Sequence, residues 1–137
     1  MSHHMVRDVM TASPATVEPS SSIEDAARLM RDEDTGALPI VEGERLVGMI
    51  TDRDIAIRAV AEGRIDATVG ELASKDLVSI DPQQTLEEAG RLMAQHQVRR
   101  LPVCEEDGRL VGILAQADLA QSGHDQLTGE VVEQISQ

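Results

Sequence analysis

Three short stretches of this sequence carry side chains suited to an anionic, hydroxyl-bearing ligand. Thr51-Asp52-Arg53-Asp54 sets a hydroxyl three residues before a carboxylate. Ala115-Gln116-Ala117-Asp118 repeats the carboxylate without the hydroxyl, and Arg99-Arg100 places two guanidinium groups side by side. An ionised carboxylate can accept two neighbouring hydroxyl protons, such as those of a sugar diol. A threonine hydroxyl and the unpaired N–H groups at a helix start can meet phosphate oxygens. Guanidinium groups grip the same oxygens in bidentate fashion. Each feature also has a plainer structural reading. Thr51-x-x-Asp54 is a capping box, in which each side chain satisfies an orphan backbone N–H. Asp118 fits as a first-turn acid favoured by the helix dipole. Arg99 and Arg100 fit as surface charges paired with nearby acids. A metal site is not expected, because His3-His4 is terminal, His96 and Cys104 lie on different elements, and His124 is in the tail. Cys104, in an apolar run, reads as a small core residue rather than a nucleophile.

The elements that must position these groups occur twice. Val17-Glu18-Pro19 recurs as Ile80-Asp81-Pro82, and Ala26-Ala27-Arg28-Leu29-Met30 as Ala89-Gly90-Arg91-Leu92-Met93. Leu38-Pro39-Ile40-Val41 recurs as Leu101-Pro102-Val103-Cys104, and after one inserted residue Leu46-Val47-Gly48-Met49-Ile50 recurs as Leu110-Val111-Gly112-Ile113-Leu114. Such a repeat governs the whole fold. Each copy starts with an extended segment ending in a proline turn, Ala15 to Pro19 and Val78 to Pro82. A helix follows, opened by Ser22-x-x-Asp25 or Thr85-x-x-Glu88. Ile23, Ala26, Ala27 and Met30 give it one apolar face, as do Leu86, Ala89, Gly90 and Met93 in the second copy. Two apolar runs around Gly-containing turns then predict a hairpin. The runs Leu46 to Ile50 and Leu110 to Leu114 do not alternate, which predicts cover on both faces. A second helix is expected from Asp52 to about Glu62 and from Gln116 to about Gln121. Each copy therefore reads β-α-β-β-α. Half the chain is too small to bury such a unit alone, so the two copies should pack sheet against sheet, with a cleft suited to a ligand.

Composition narrows the function classes. The 137 residues carry 12 Lys+Arg against 25 Asp+Glu, a net charge of −13. That field opposes nucleic-acid backbones and anionic membranes, so neither is an expected partner. No apolar run reaches the roughly 20 residues needed to span a bilayer, and no signal peptide is expected. The single cysteine excludes an intramolecular disulfide and fits a cytoplasmic location. Phe, Tyr and Trp are absent. Any bound base must therefore lie between aliphatic side chains and backbone, and base-stacking platforms are excluded. No nucleophile–base–orienter set can be assembled, so the chain does not read as an enzyme.

The paired Leu-Pro-hydrophobic and Leu-Val-Gly-hydrophobic-hydrophobic segments, each followed by a helix opening in x-x-Asp, resemble a pair of cystathionine-beta-synthase (CBS) domains, the Bateman module. The likeness runs from about Val6 to Leu119. Gly36-Ala37-Leu38-Pro39-Ile40, Thr51-Asp52-Arg53-Asp54-Ile55 and His96-Gln97-Val98-Arg99-Arg100 look especially like small stand-alone CBS-pair proteins of actinobacteria. The resemblance implies an α+β fold of α/β type, with two β-α-β-β-α repeats packed sheet to sheet in pseudo-twofold symmetry. Repeat 1 is then 6–63, the linker 64–68, repeat 2 69–124, and the tail 125–137, where the pattern of Val131, Val132 and Ile135 on one side, independent of the resemblance, predicts a short helix from Thr128 to Ser136. The resemblance implies a regulatory module that binds AMP, ADP, ATP or S-adenosylmethionine in the inter-repeat cleft. It further implies that no cofactor is required, that the protein forms a homodimer, and that its output acts on an unidentified effector protein.

The family's ligand motif is Gly-h-h-Thr/Ser-x-x-Asp. Gly48 to Asp54 matches it in full, while Gly112 to Asp118 departs at Ala115. Basic residues just before the h-Pro-h strand hold phosphates in the family. Arg99 and Arg100 occupy those positions in the second copy, but Gly36 and Ala37 stand there in the first. By the same analogy, the first strand of the opposite copy completes each pocket, with Thr16 serving the Asp118 pocket and Ser79 the Asp54 pocket. The arginines make the Asp118 pocket the expected site for a phosphorylated ligand. The missing hydroxyl and the missing cations support the alternative, a dimeric interaction or scaffold protein with degenerate pockets.

Overall fold

The computed structural model describes residues 5–74 and 77–121, so the helix expected from Thr128 to Ser136 lies outside the described residues. In chain order the elements are α1 (Val6–Val9), β1 (Thr11–Ala12), α2 (Ile23–Glu33), β2 (Ala37–Glu42), β3 (Arg45–Thr51), α3 (Asp52–Asp54), a π-helical segment (Ile55–Val60), α4 (Val69–Leu72), α5 (Leu86–His96), β4 (Arg100–Cys104), β5 (Leu110–Ala115) and α6 (Gln116–Gln121). They form two compact units. One is Ala15–Leu77, and the other joins the stretch before Ala15 to the stretch from Val78 onward.

The main helices start where the capping patterns place them. The Asp25 N–H donates to Ser22 Oγ at 2.9 Å, and the Glu88 N–H to Thr85 Oγ1 at 3.2 Å. In α5 the box is reciprocal, since the Thr85 N–H donates to Glu88 Oε1 at 3.2 Å. Both helices end on a non-glycine residue in the left-handed region, Asp34 at φ 53° and Gln97 at φ 55°. Ile23, Ala26 and Met30 are buried on α2; Leu86, Ala89, Gly90 and Met93 are buried on α5. Ala27, expected on the same face, sits at its edge and is exposed.

The hairpins form as expected. Leu38 pairs with Ile50 and Leu101 with Leu114, and both hairpins carry a bulge at the same place, after Ile40 and after Val103. The turn glycines Gly43 and Gly108 take φ of 64° and 90°, a region other residues enter at a cost. Cover on both faces holds for β2 and β4 but not for β3 and β5. There Gly48, Ile50, Gly112 and Leu114 are buried, while Val47, Met49, Val111 and Ile113 are half-buried. Hydrophobicity runs unbroken along these strands, and the second face is only partly covered, with Val47 and Val111 packed against the two cores.

The first extended segments make one parallel bridge each, Val17 to Ile40 and Ile80 to Val103. The Val17 N–H donates to the Pro39 carbonyl at 3.0 Å and the Val41 N–H to the Val17 carbonyl at 2.9 Å. The next bonds of a parallel ladder would need N–H groups from residue 39 on one side and residue 19 on the other. Both are proline, and so are their counterparts 102 and 82. The ladder is stopped chemically in both directions, in both copies.

Short leaders complete each unit. The Val6 and Arg7 N–H groups of α1 donate to the Gln84 and Pro82 carbonyls, each at 2.9 Å, and β1 pairs with β5. The Val69 and Gly70 N–H groups of α4 donate to the Ser21 and Pro19 carbonyls, each at 2.9 Å, and Ser74 bridges Met49. The leader that opens repeat 1 thus packs in the unit that holds most of repeat 2, and the leader that opens repeat 2 in the unit that holds most of repeat 1. Sequence repeats and packing units are different partitions of the chain. One core gathers Ile23, Leu38, Ile40, Ile50 and Leu72, and the other gathers Val6, Leu86, Met93, Leu101 and Leu114. No buried residue among those described is polar or charged.

The helix expected from Asp52 to Glu62 begins as α3 and then widens. The Ala61 N–H reaches the Ala56 carbonyl at 3.0 Å, a bond across five residues. Ala59 reaches the core and Ile55 packs against it, while Ile57 and Val60 face outward at 47% and 61% exposure.

Candidate functional site

The end of β3 is fixed by backbone and cap together. Ala37 stands opposite Thr51, and the Asp52 N–H donates to the Gly36 carbonyl at 2.9 Å. The Asp54 N–H donates to Thr51 Oγ1 at 3.1 Å, and the Thr51 N–H donates to Asp54 Oδ2 at 3.0 Å. The capping box is therefore formed. It does not exhaust either side chain, because a hydroxyl that accepts still has its own proton to donate, and a carboxylate with one oxygen engaged keeps lone pairs on the other. Thr51 and Asp54 are both half-buried.

The end of β5 repeats the plan with different side chains. Arg100 stands opposite Ala115, and the Gln116 N–H donates to the Arg99 carbonyl at 2.8 Å. Ala115 has no hydroxyl, so the sequence left Asp118 without a reciprocal cap. Asp118 nonetheless caps: the Ala115 N–H donates to Asp118 Oδ2 at 2.7 Å. This half of a capping box needs only a backbone N–H at the residue three positions before the acid. Asp118 thus holds the same local geometry as Asp54, also half-buried.

Arg99 is exposed and Arg100 half-buried. Among the described residues, ion pairs are made by Arg28, Arg31, Arg64 and Arg109, and not by this arginine pair. Thr16 precedes the bridging Val17 and shares its unit with Thr51 and Asp54. Ser79 precedes the bridging Ile80 and shares its unit with Arg99, Arg100 and Asp118. The Cys104 thiol pKa lies above its ordinary value because burial disfavours the thiolate, with a Ser79 hydrogen bond opposing. This is an inert thiol rather than an activated one. No group of three or more His, Cys, Asp and Glu side chains that could hold a metal exists among the described residues.

Sequence reasoning passed over one pair of residues. Asp52 and Gln116 occupy equivalent places, directly after the strand. The Asp52 carboxylate lies close enough to Gly36 that a Cβ there would come within 2.9 Å of Oδ2. The Gln116 Nε2 is buried without a hydrogen-bond partner among the described residues. One junction thus presents two acids and a hydroxyl. The other presents two arginines, an amide and one acid. The repeat alignment contains this contrast, because Gly36 and Asp52 align with Arg99 and Gln116.

Comparisons with known proteins agree with this architecture. The CBS domain family matches residues 6–60 and 69–125. The chain is 52% identical over 116 residues to the CBS domain-containing protein YhcV of Bacillus subtilis, covering 84% of this chain and 82% of that one. It is 44% identical over 119 residues to Hypoxic response protein 1 of Mycobacterium tuberculosis, with the same coverage. A crystal structure of Hypoxic Response Protein I with two coordinated zinc ions superposes with a TM-score of 0.79 at 43% identity, over 85% of this chain and 97% of that one. CBSX2 of Arabidopsis thaliana in complex with AMP gives 0.79 at 28% identity, over 90% and 98%. The CBS domain pair of MJ0100, bound to 5′-methylthioadenosine and S-adenosyl-L-methionine, gives 0.80 at 26% identity, over 89% and 97%.

Proposed function

This chain belongs to the CBS-domain family, as a tandem pair, and from that premise we propose that it is a ligand-sensing regulatory module for an adenine nucleotide or adenosyl compound. The observation that carries the reading is the pairing of two like-built strand–helix junctions with relatives of the same fold solved with AMP or with S-adenosylmethionine. In this reading Asp54 and Asp118 each offer their free carboxylate oxygen to ribose hydroxyls. Thr51 donates its hydroxyl proton to the ligand. Arg99 and Arg100, free of acid partners among the described residues, take phosphate oxygens at the β5–α6 junction. Thr16 and Ser79 are proposed as further ligand contacts. The protein is cytoplasmic, non-catalytic and dimeric in this reading, needs no cofactor, and signals to a separate effector protein. A dimer contact would cover the apolar Ile57, Val60 and Ile65. Sensing works by population shift, so the ligand must bind one arrangement of the module better than another.

Equilibrium dialysis against AMP, ADP, ATP and S-adenosylmethionine tests this reading. At least one ligand is expected to bind in the micromolar range, about −8 kcal/mol. The absence of Tyr and Trp also leaves the protein nearly transparent near 260–280 nm, so a co-purifying purine would be directly visible. A second reading, a dimeric scaffold with degenerate pockets, draws on Ala115 and on the uncharged Gly36-Ala37 pair. Silence across the whole panel would select it.

A further inference from the structure

A cavity of about 310 Å³ opens within the unit Ala15–Leu77, lined by Pro19, Ile40, Glu42, Val47, Gly48, Gly70 and Ala73. It shares no residue with Thr51, Asp54 or Thr16. Its volume lies at the lower end of the roughly 300–1,000 Å³ of small-molecule pockets. The walls are aliphatic, and two of the lining residues have no side chain. A Cβ on Gly48 would meet Ile40 Cδ1 at 3.3 Å and Ala73 Cβ at 3.6 Å, and a Cβ on Gly70 would meet the Pro19 carbonyl oxygen at 2.9 Å.

The other unit shows what fills this place. Its counterpart of Gly48 is Gly112, and its counterpart of Ala73 is Met10. A Cβ on Gly112 would stand 2.5 Å from Met10 Sδ and 3.0 Å from Met10 Cγ, and Met10 packs onto that unit's core. An unbranched thioether chain thus occupies the position that Ala73 leaves open. The acids differ as well. Glu105 pairs with Arg109 at 3.8 Å, whereas its counterpart Glu42 lines the cavity and makes no ion pair among the described residues.

We propose that this cavity is a binding site for a short unbranched aliphatic or thioether chain that ends in an ammonium group. The chain takes the course that the Met10 side chain takes in the other unit, and the ammonium meets Glu42. The apolar wall supplies burial, and the carboxylate selects the sign of the charge. The site is independent of the adenosyl reading and stands or falls separately from it.

The test is a titration of the full-length protein with n-butylammonium, followed through the methyl resonances of Ile40 and Val47. Saturable shifts are expected with n-butylammonium, and at least about tenfold weaker binding with butyrate, a loss of about 1.4 kcal/mol. Ala73→Met should abolish the shifts, because it installs the side chain that fills the same place opposite Gly112. Ala73→Leu gives a second filling variant should the first not fold. Glu42→Gln should weaken n-butylammonium about tenfold. No saturable shift in the parent protein, undiminished shifts in a folded filling variant, or equal binding of butyrate would overturn the proposal.

Discussion

At the end of β3, Thr51, Asp52 and Asp54 stand beside the uncharged Gly36 and Ala37. At the end of β5, Ala115, Gln116 and Asp118 stand beside Arg99 and Arg100. The two places share one backbone plan: a strand-end pair, an N–H to carbonyl bond near 2.8–2.9 Å, and an acid that caps the N–H three residues before it. The plan survives the loss of a hydroxyl and a reversal of local charge because main-chain groups hold it. Side chains beyond that frame are free to differ, and they set what each junction can hold.

The shared frame can be broken first. Ile50 and Leu114 are equivalent, fully buried core residues. Ile50→Ala and Leu114→Ala should each cost about 2–5 kcal/mol in urea denaturation, from lost transfer energy and a residual cavity. Residue-resolved hydrogen exchange should show each loss within its own unit. A cost below about 1 kcal/mol at either position would mean that the two cores are not equivalent.

The helix caps offer a finer comparison. Thr85→Ala removes an acceptor from a reciprocal box, while Ser22→Ala removes a single bond. Both should cost about 1 kcal/mol, the Thr85 change more, read as shifts in denaturation midpoint. The smallest effect concerns Cys104, which stands where Val41 stands in the first repeat. Its thiol is held above the ordinary value of 9.0, chiefly by burial. The folded state therefore binds the proton more tightly than the unfolded one. That contribution is whole below the unfolded pKa and lost as pH rises through the folded pKa. Cys104→Val should leave stability near pH 7 almost unchanged and flatten its decline above pH 9. An unchanged alkaline limb would reject burial as the cause.

Much of the fold can be read from the residues. The duplicated segments, the caps at Ser22 and Thr85, and the turn glycines act locally, so their spacing is enough. Other features depend on partners distant in sequence. The first strands shrink to single bridges because Pro39 stops the ladder on one side of the Val17–Ile40 bridge and Pro19 on the other, as Pro102 and Pro82 do around Ile80–Val103, which shows only once the register is known. The exchange of leaders between units follows from main-chain bonds such as Val6 to Gln84, which leave no periodicity. The cap made by Asp118 was hidden because its partner is a backbone N–H rather than a side chain. At the candidate site, Asp54 and the arginine pair could be singled out from sequence, whereas the opposition of Asp52 to Gln116 emerged from their equivalent positions beside each strand end.

The central claim is that the β5–α6 junction, with its arginines and its acid, holds a phosphorylated adenosine. Calorimetric titration with AMP of the parent protein and of Asp118→Ala, Arg100→Ala and Asp54→Ala tests it most directly. The account predicts micromolar binding that weakens about tenfold or more in the first two variants and changes far less in Asp54→Ala. AMP binding that ignores Asp118 and Arg100, or no AMP binding at all, would contradict it.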